Sequence, residues 1–451
     1  MADWASPEAV QEAVKAFRDM AYGQREYSIS EQQARTTKES PGKGHQWVSR
    51  FTIPSTPELD ILDLLLRAIT HLDDGKGTYQ RPSLQPLNAQ WTGYRPGVDK
   101  DASEPQISEQ QKYLALTDSA RSPFVIYYVY GGAFYMNGPS TNRRIYTQLA
   151  RLTGGRVFCV AQSLAPQFPF PATVLDILVG YLSLLHPPPG SYHQPIPAKS
   201  IVIAADSSGA CLALSFLQTL LTIQRQGWAS SGIRFHGHSV PLELPAGCAF
   251  VSAIADMTSS LPSYRLNAPN DVFPEYPPSI LPGHPTCALW PSNPPRGNIY
   301  CELDMLTHPL VAPATAFNWS GAPPLWFACG QEQLVDSAKV VAQTAARQGV
   351  SVVFKEYELM PHCFHIFFPD SPQARKLWNE WSEAIVGISR CKGFENAALR
   401  VKCDGELSEE NLGNLEQLLD LDISDVQDAM KRTAASYWVF SGQKKGWCPK
   451  L

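Results

Sequence analysis

Closely spaced cysteines are missing from this chain. Its ten cysteines stand at positions 159, 211, 248, 287, 301, 329, 363, 391, 403 and 448, and the nearest two, Cys391 and Cys403, are twelve residues apart. That spacing excludes a Cys-x-x-Cys redox pair and any zinc-like grouping. Cysteines set in apolar runs, such as Cys159, Cys211 and Cys329, read as free, buried, small hydrophobes. Charge is scarce as well. Only 18% of residues are charged, the formal net charge is −5, and no block of one sign occurs, so neither nucleic acid nor a polybasic membrane surface is expected as a partner. No run reaches the roughly 18 apolar residues of a membrane span; Ala172 to Leu185 comes nearest and is interrupted by Asp176. Met1 to Met20 has no apolar core of a secretory signal. These absences predict a soluble, cytoplasmic protein with small, apolar partners and no metal or organic cofactor.

What the chain does have is an apolar content of 44% over 451 residues, ordinary for a globular protein with a large core, and 38 prolines. The prolines cluster in connections such as Pro187 to Pro189 and Leu261 to Pro295, which suggests ordered excursions on a compact body. Residues 1–85 read as a helical segment. Within it Thr56-Pro57-Glu58 opens a helix carrying Leu59, Leu62, Leu65, Leu66 and Ile69 on one face, with Gly75 as its stop. Asn88 to Tyr94 and Lys112 to Thr117 look like two short strands. A regular alternation follows. Strands are predicted over Phe124–Val129, Arg156–Ala161, Ile201–Ala205, Gly247–Ala253, Leu325–Cys329 and Ser351–Tyr357. Helices are predicted over Tyr146–Leu152, Thr173–Leu185, Gly209–Gln224, Ser337–Gln348 and Pro372–Val386. The pattern implies a mostly parallel sheet of about eight strands, covered by helices on both faces, within a unit spanning 86–392.

Residues 256–313 break this rhythm. The stretch is long, rich in proline, asparagine and aromatics, and without periodicity, which marks a lid or binding excursion. Tyr264, Phe273, Tyr276, Trp290 and Tyr300 would give it apolar contact area, and it is expected to form a substrate cap with the N-terminal helices. The remaining residues, 393–451, are expected as a small helical appendix with helices over Ser408–Leu419 and Ser424–Tyr437, each opening on a serine N-cap.

The chemistry-bearing residues fall just past predicted strands, where ligands sit in sheets of this kind. Ala205-Asp206-Ser207-Ser208-Gly209 joins a buried strand to a buried helix and approximates the Gly-x-Ser-x-Gly turn that exposes a serine Oγ. Tyr130-Gly131-Gly132-Ala133-Phe134 follows the strand ending at Val129. Its glycine pair lets backbone N-H groups turn toward an incoming carbonyl oxygen, so Gly131, Gly132 and Ala133, with Ser208 at the helix start, are candidate oxyanion donors. Glu332 and Asp336 follow the strand ending at Cys329, and His362 and His365 the one ending at Tyr357. Ser207, Glu332 and His362 succeed one another as nucleophile, acid and base, with Asp336 the alternative acid and His365 the alternative base.

On these residues the chain resembles the hormone-sensitive-lipase-like esterases, the alpha/beta hydrolase fold-3 group, and looks closest to a fungal branch of it, over about Lys112 to Phe368. Tyr130-Gly-Gly-Ala-Phe is similar to the family's His-Gly-Gly-Gly-Phe. Leu164-Ala-Pro-Gln-Phe-Pro-Phe-Pro-Ala172, with Asp176 after it, resembles Leu-Ala-Pro-Glu-x-Pro-Phe-Pro-Ala. Ala205-Asp-Ser-Ser-Gly209 stands at Gly-Asp-Ser-Ala-Gly, Glu332-Gln-Leu-Val-Asp336 at Asp-x-Leu-x-Asp, and His362-Cys-Phe at His-Gly-Phe. The resemblance implies an alpha/beta-hydrolase fold, a serine carboxylic-ester hydrolase, and Glu332 as the acid. The departures are Tyr130, Ala133, Gln162-Ser163 where the family has Tyr-Arg, and Ala210. They leave the triad intact but touch the oxyanion loop. Hydrolysis of a small or medium apolar ester, acyl transfer or cyclisation in fungal secondary metabolism, and turnover-free binding as in the plant gibberellin receptors are the readings this leaves. The substrate-binding residues and the oligomeric state stay open.

Overall fold

The computed structural model describes residues 4, 6–22, 27–73, 75–273, 285–292 and 296–441. Strands β1 (Gln46–Ile53), β2 (Leu87–Tyr94), β3 (Val125–Val129), β4 (Arg156–Val160) and β5 (Ile201–Asp206) come first, then a small hairpin of β6 (Ile233–Phe235) and β7 (His238–Val240). They are followed by β8 (Gly247–Val251), β9 (Leu325–Gly330), β10 (Val352–Tyr357), β11 (Ala397–Val401) and β12 (Glu409–Asn411). All but the hairpin form one ten-stranded sheet in the order β1-β2-β4-β3-β5-β8-β9-β10-β11-β12. The run from β4 to β11 is parallel, and β1, β2 and β12 close the edges antiparallel.

Alternation along each central strand explains why both faces are covered. In β3, Val125, Tyr127 and Val129 enter one apolar core while Ile126 and Tyr128 enter the other. In β5, Ile201, Ile203 and Ala205 divide from Val202 and Ala204 in the same way. A strand buried on both sides needs helices on both sides. Helices α1 (Pro7–Tyr22), α2 (Ile29–Thr36), α3 (Asp60–Leu72), α4 (Glu109–Ser119), α5 (Arg143–Thr153), α6 (Ala172–Leu185) and α7 (Ser207–Arg225) precede the excursion. The short α8 (Ser263–Leu266) lies in it, and α9 (Val335–Arg347), α10 (Phe364–Phe367), α11 (Pro372–Ser389) and α12 (Ile423–Ser441) follow. Every residue of α6 is buried, in keeping with its mostly apolar sequence; its one charged residue, Asp176, is accommodated by accepting the Ser163 N-H at 2.7 Å.

Four expectations are corrected. The sheet has ten strands rather than about eight, because β1, β11 and β12 add three toward its two edges while Lys112–Thr117 is not a strand. Ser408–Leu419 is therefore not a helix: it supplies β12 and a single 3-10 turn at Leu415–Gln417, with Gly413 at φ +92° breaking the chain between them. Lys112–Thr117 is helical, inside α4, since Ser108 and Gln111 form a reciprocal capping box that starts the helix. Residues 1–85 contain β1 among their helices. Its burial does not alternate, so only pairing with β2 identifies it as a strand. Among the described residues, no helix is long and apolar enough to cross a membrane.

Candidate active site

The turn from β5 into α7 places Ser207 at the carboxyl edge of the sheet with φ +52°. A non-glycine residue in this region is strained by roughly 1–2 kcal/mol, so the turn is kept by its surroundings. They are tight. A Cβ on Gly209 would stand 2.2 Å from the Val129 carbonyl oxygen and 2.5 Å from the Tyr130 carbonyl carbon, and one on Gly131 would stand 2.8 Å from the Ser207 Cβ. Ala205, at the motif's first glycine position, is an ordinary buried strand residue.

Three side chains meet there. The His362 Nε2 lies 2.8 Å from the Ser207 Oγ, and its Nδ1 lies 3.0 Å from the Glu332 Oε1. Glu332 is 0% exposed, and its second oxygen accepts the Ser252 hydroxyl at 2.7 Å and the Gly330 N-H at 3.1 Å. Ser252 in turn accepts the Cys363 N-H at 2.9 Å, tying the acid loop to the histidine loop. Burial opposes a charge on His362, but the neighbouring Cys363 sulfur and the Glu332 carboxylate outweigh it and hold the imidazole well above its usual value. Burial pushes the Cys363 thiol itself up to about 11.

Neither alternative is hydrogen-bonded to the Ser207 or His362 side chain. The Asp336 carboxylate, in the first turn of α9, accepts the Ser263 N-H at 2.8 Å. His365 is buried, with neither ring nitrogen hydrogen-bonded, and packs edge-on against Trp378 and Trp381; burial, with a smaller contribution from His362, lowers it to about 3.

The glycine loop divides its amides. Gly131 N-H is directed at the Asp206 carboxylate, 3.3 Å away, which also accepts the Tyr128 hydroxyl at 2.7 Å. Among the described residues the amides of Gly132, Ala133 and Ser208 make no such bond, and Gly131, Gly132, Ala133 and Ser207 all line one cleft. Gly132 has φ +138°, Ala133 φ +49° and Phe134 φ +68°. The unusual Tyr130 has a partner in the equally unusual Gln162, whose backbone N-H donates to the Tyr130 hydroxyl at 2.8 Å. Cys363, where the resemblance has glycine, stands at φ +50°.

The cleft measures about 750 Å³. Met136, Ile145, Ile254, Phe273 and Trp378 make its wall largely apolar, and Arg144, Arg151 and Arg375 line its outer part. From the excursion, the Phe273 ring lies 4.6 Å from the His362 ring, and Tyr300 stacks on Phe134 at 4.1 Å. Tyr264 and Trp290 are also described; Tyr276 and Cys448 lie outside the described residues. Sequence reasoning missed Ser252 and Asp271. The latter accepts the His362 and Gln333 N-H groups, and neither residue sits in a motif that could have announced it. Among the described residues no cluster of three His, Cys, Asp or Glu side chains is arranged to hold a metal ion.

Residues 126–366 match the family described as alpha/beta hydrolase fold. An acetyl-hydrolase of Streptomyces hygroscopicus is 26% identical over 250 residues, covering 55% of this chain and 71% of that protein. An esterase of Acinetobacter venetianus is 28% identical over 256 residues, with the same shares. Among solved structures, an esterase from the bacterial hormone-sensitive lipase family superposes with a TM-score of 0.53 at 20% identity, over 87% of this chain and all of that one. EstE5, soaked with p-nitrophenyl butyrate, superposes with a TM-score of 0.55 at 19% identity, over 84% and 98%.

Proposed function

This chain belongs to the alpha/beta hydrolase fold family and is an enzyme of its ester-hydrolysing kind, and from that premise we propose that it cleaves small or medium apolar carboxylic esters through Ser207, His362 and Glu332. The observation that carries this is the unbroken line of contacts from hydroxyl to imidazole to carboxylate, at 2.8 and 3.0 Å, within reach for proton transfer.

In this mechanism the Ser207 Oγ attacks the ester carbonyl carbon while His362 Nε2 takes its proton. Glu332 holds the Nδ1-H and stabilises the imidazolium. The carbonyl oxygen becomes an oxyanion, received by the amides of Gly132, Ala133 and Ser208; the Gly131 amide, engaged with Asp206, serves to hold the loop. Collapse breaks the bond to the alkoxy group, which leaves as the alcohol with the proton from His362. Water then repeats the sequence on the acyl-enzyme, giving the free acid and restoring Ser207. A largely apolar cleft of about 750 Å³ suits a small or medium acyl or alkyl group, and the described residues of the stretch 256–313, Phe273 foremost, are assigned to its cap.

The test is Ser207→Ala against p-nitrophenyl acetate and butyrate, with a fluorophosphonate probe on both proteins. Loss of turnover and of labelling is expected. Full activity in the alanine variant would refute the assignment.

A further inference from the structure

We propose that Asp271 is a positioning residue for the Ser207, His362 and Glu332 array, and that Ser263 to Val272 forms a strap setting the spacing of the acid and base loops. The inference rests on the catalytic reading above.

Asp271 is 0% exposed, and its two oxygens serve two different loops. Oδ1 accepts the His362 N-H at 3.0 Å and the Val272 N-H at 2.7 Å. Oδ2 accepts the Gln333 N-H, on the residue after Glu332, at 2.7 Å. One carboxylate thus bridges the backbone that carries the base and the backbone that carries the acid. An asparagine could not do the same. It has a single acceptor, so its NH2 would face one of the two amide donors.

The rest of the strap is fastened to the acid loop and to the start of α9. Asn267 Nδ2 donates to the Glu332 carbonyl at 2.9 Å. Ser263 Oγ donates to the Gln333 carbonyl at 2.7 Å, and Ser263 N donates to Asp336 Oδ2 at 2.8 Å. Gln333 Nε2 donates to the Tyr264 carbonyl at 3.0 Å. Helix α1 braces the strap from outside, with Arg18 Nη1 donating to the Ala268 carbonyl at 2.7 Å and Gln11 Nε2 to Asn270 Oδ1 at 3.1 Å. Burying a carboxylate is costly unless its oxygens are satisfied. Here the three N-H donors and the adjacent imidazole offset that cost, which also makes its charge felt at His362. Burial and Glu332 raise Asp271 above the usual carboxylate range, and His362 opposes them.

A catalytic array holds its rate only while its members stay within about 0.5 Å of the productive geometry. Asp271→Asn is therefore expected to lower kcat on p-nitrophenyl butyrate by about 10- to 100-fold, leave KM within about threefold, and move the acid limb of kcat/KM to lower pH as a negative charge near the imidazole is lost. A cooperative thermal melt and circular dichroism establish that the variant is folded. A folded variant with kcat within about twofold of the parent and an unmoved acid limb would overturn the inference, as would a change confined to KM. If Asp271→Asn does not fold, Asn267→Ala replaces it: a drop in kcat of about three- to tenfold at constant KM supports the strap, and an unchanged kcat overturns it. Ser207→Ala, run in parallel, separates the two readings. If it is inactive while folded Asp271→Asn is fully active, only this inference fails; if it is fully active, the catalytic reading fails and takes the strap with it.

Discussion

Replacing Glu332 by glutamine isolates what a carboxylate does that its isostere cannot. All three partners of the Glu332 side chain present donors: His362 Nδ1-H at 3.0 Å, the Ser252 hydroxyl at 2.7 Å and the Gly330 N-H at 3.1 Å. A carboxamide offers one oxygen and one NH2. With the oxygen kept toward Ser252 and Gly330, the NH2 meets Nδ1, which must become the acceptor; the ring then carries its proton on Nε2 and can no longer take one from Ser207. With the oxygen toward Nδ1, the NH2 is set against a buried hydroxyl and a buried N-H, a conflict of about 1–3 kcal/mol. In either orientation the imidazolium formed during attack loses its negative partner. Loss of the correct tautomer and of that charge is worth on the order of a thousand- to ten-thousand-fold in kcat, about 4–5.5 kcal/mol of transition-state stabilisation. The assay is steady-state hydrolysis of p-nitrophenyl butyrate on protein shown by urea denaturation to be folded, with Asp336→Asn as control. Folded Glu332→Gln with kcat within about tenfold of the parent would refute the reasoning, and so would a collapse of kcat in Asp336→Asn alone.

The pH profile follows from His362. It must be neutral to act as base, and the Cys363 sulfur and the Glu332 carboxylate raise it above the usual imidazole value against the burial that opposes its charge, so kcat/KM should rise with pH through a limb above about 6.5; a limb at or below that value would count against the pairing. Gly209→Ala should destabilise the fold by roughly 1–3 kcal/mol or more, because the added Cβ meets backbone atoms of Val129 and Tyr130 that cannot move aside; unchanged urea stability would show that the close approach has been misjudged. Ala133→Gly should stabilise by up to about 1 kcal/mol, since φ +49° is free of strain only for glycine. A lowered melting temperature would contradict that.

Much of the site was legible in the sequence because its parts lie beside strands that announce themselves. Ile201–Ala205 and Leu325–Cys329 are short apolar runs, and a parallel sheet brings their carboxyl ends to one rim. Ser207, Glu332 and His362 could be named from that rule and from the resemblance. The amides could not be sorted in the same way. Which of three neighbouring N-H groups is taken up depends on Asp206 turning back toward Gly131, a contact between residues 75 apart in sequence.

Sequence by itself determined the layered architecture and the order in which the candidate site residues follow its strands, since local hydrophobic period and turn chemistry are properties of neighbouring residues. Folding alone decided the last two strands, from Ala397 onward, the helix that takes up Lys112–Thr117 where a strand is expected, and the contacts of Ser252 and Asp271 with the candidate site. Those outcomes turn on pairings and hydrogen bonds between distant segments, whose energies appear only when burial removes water as the competing partner.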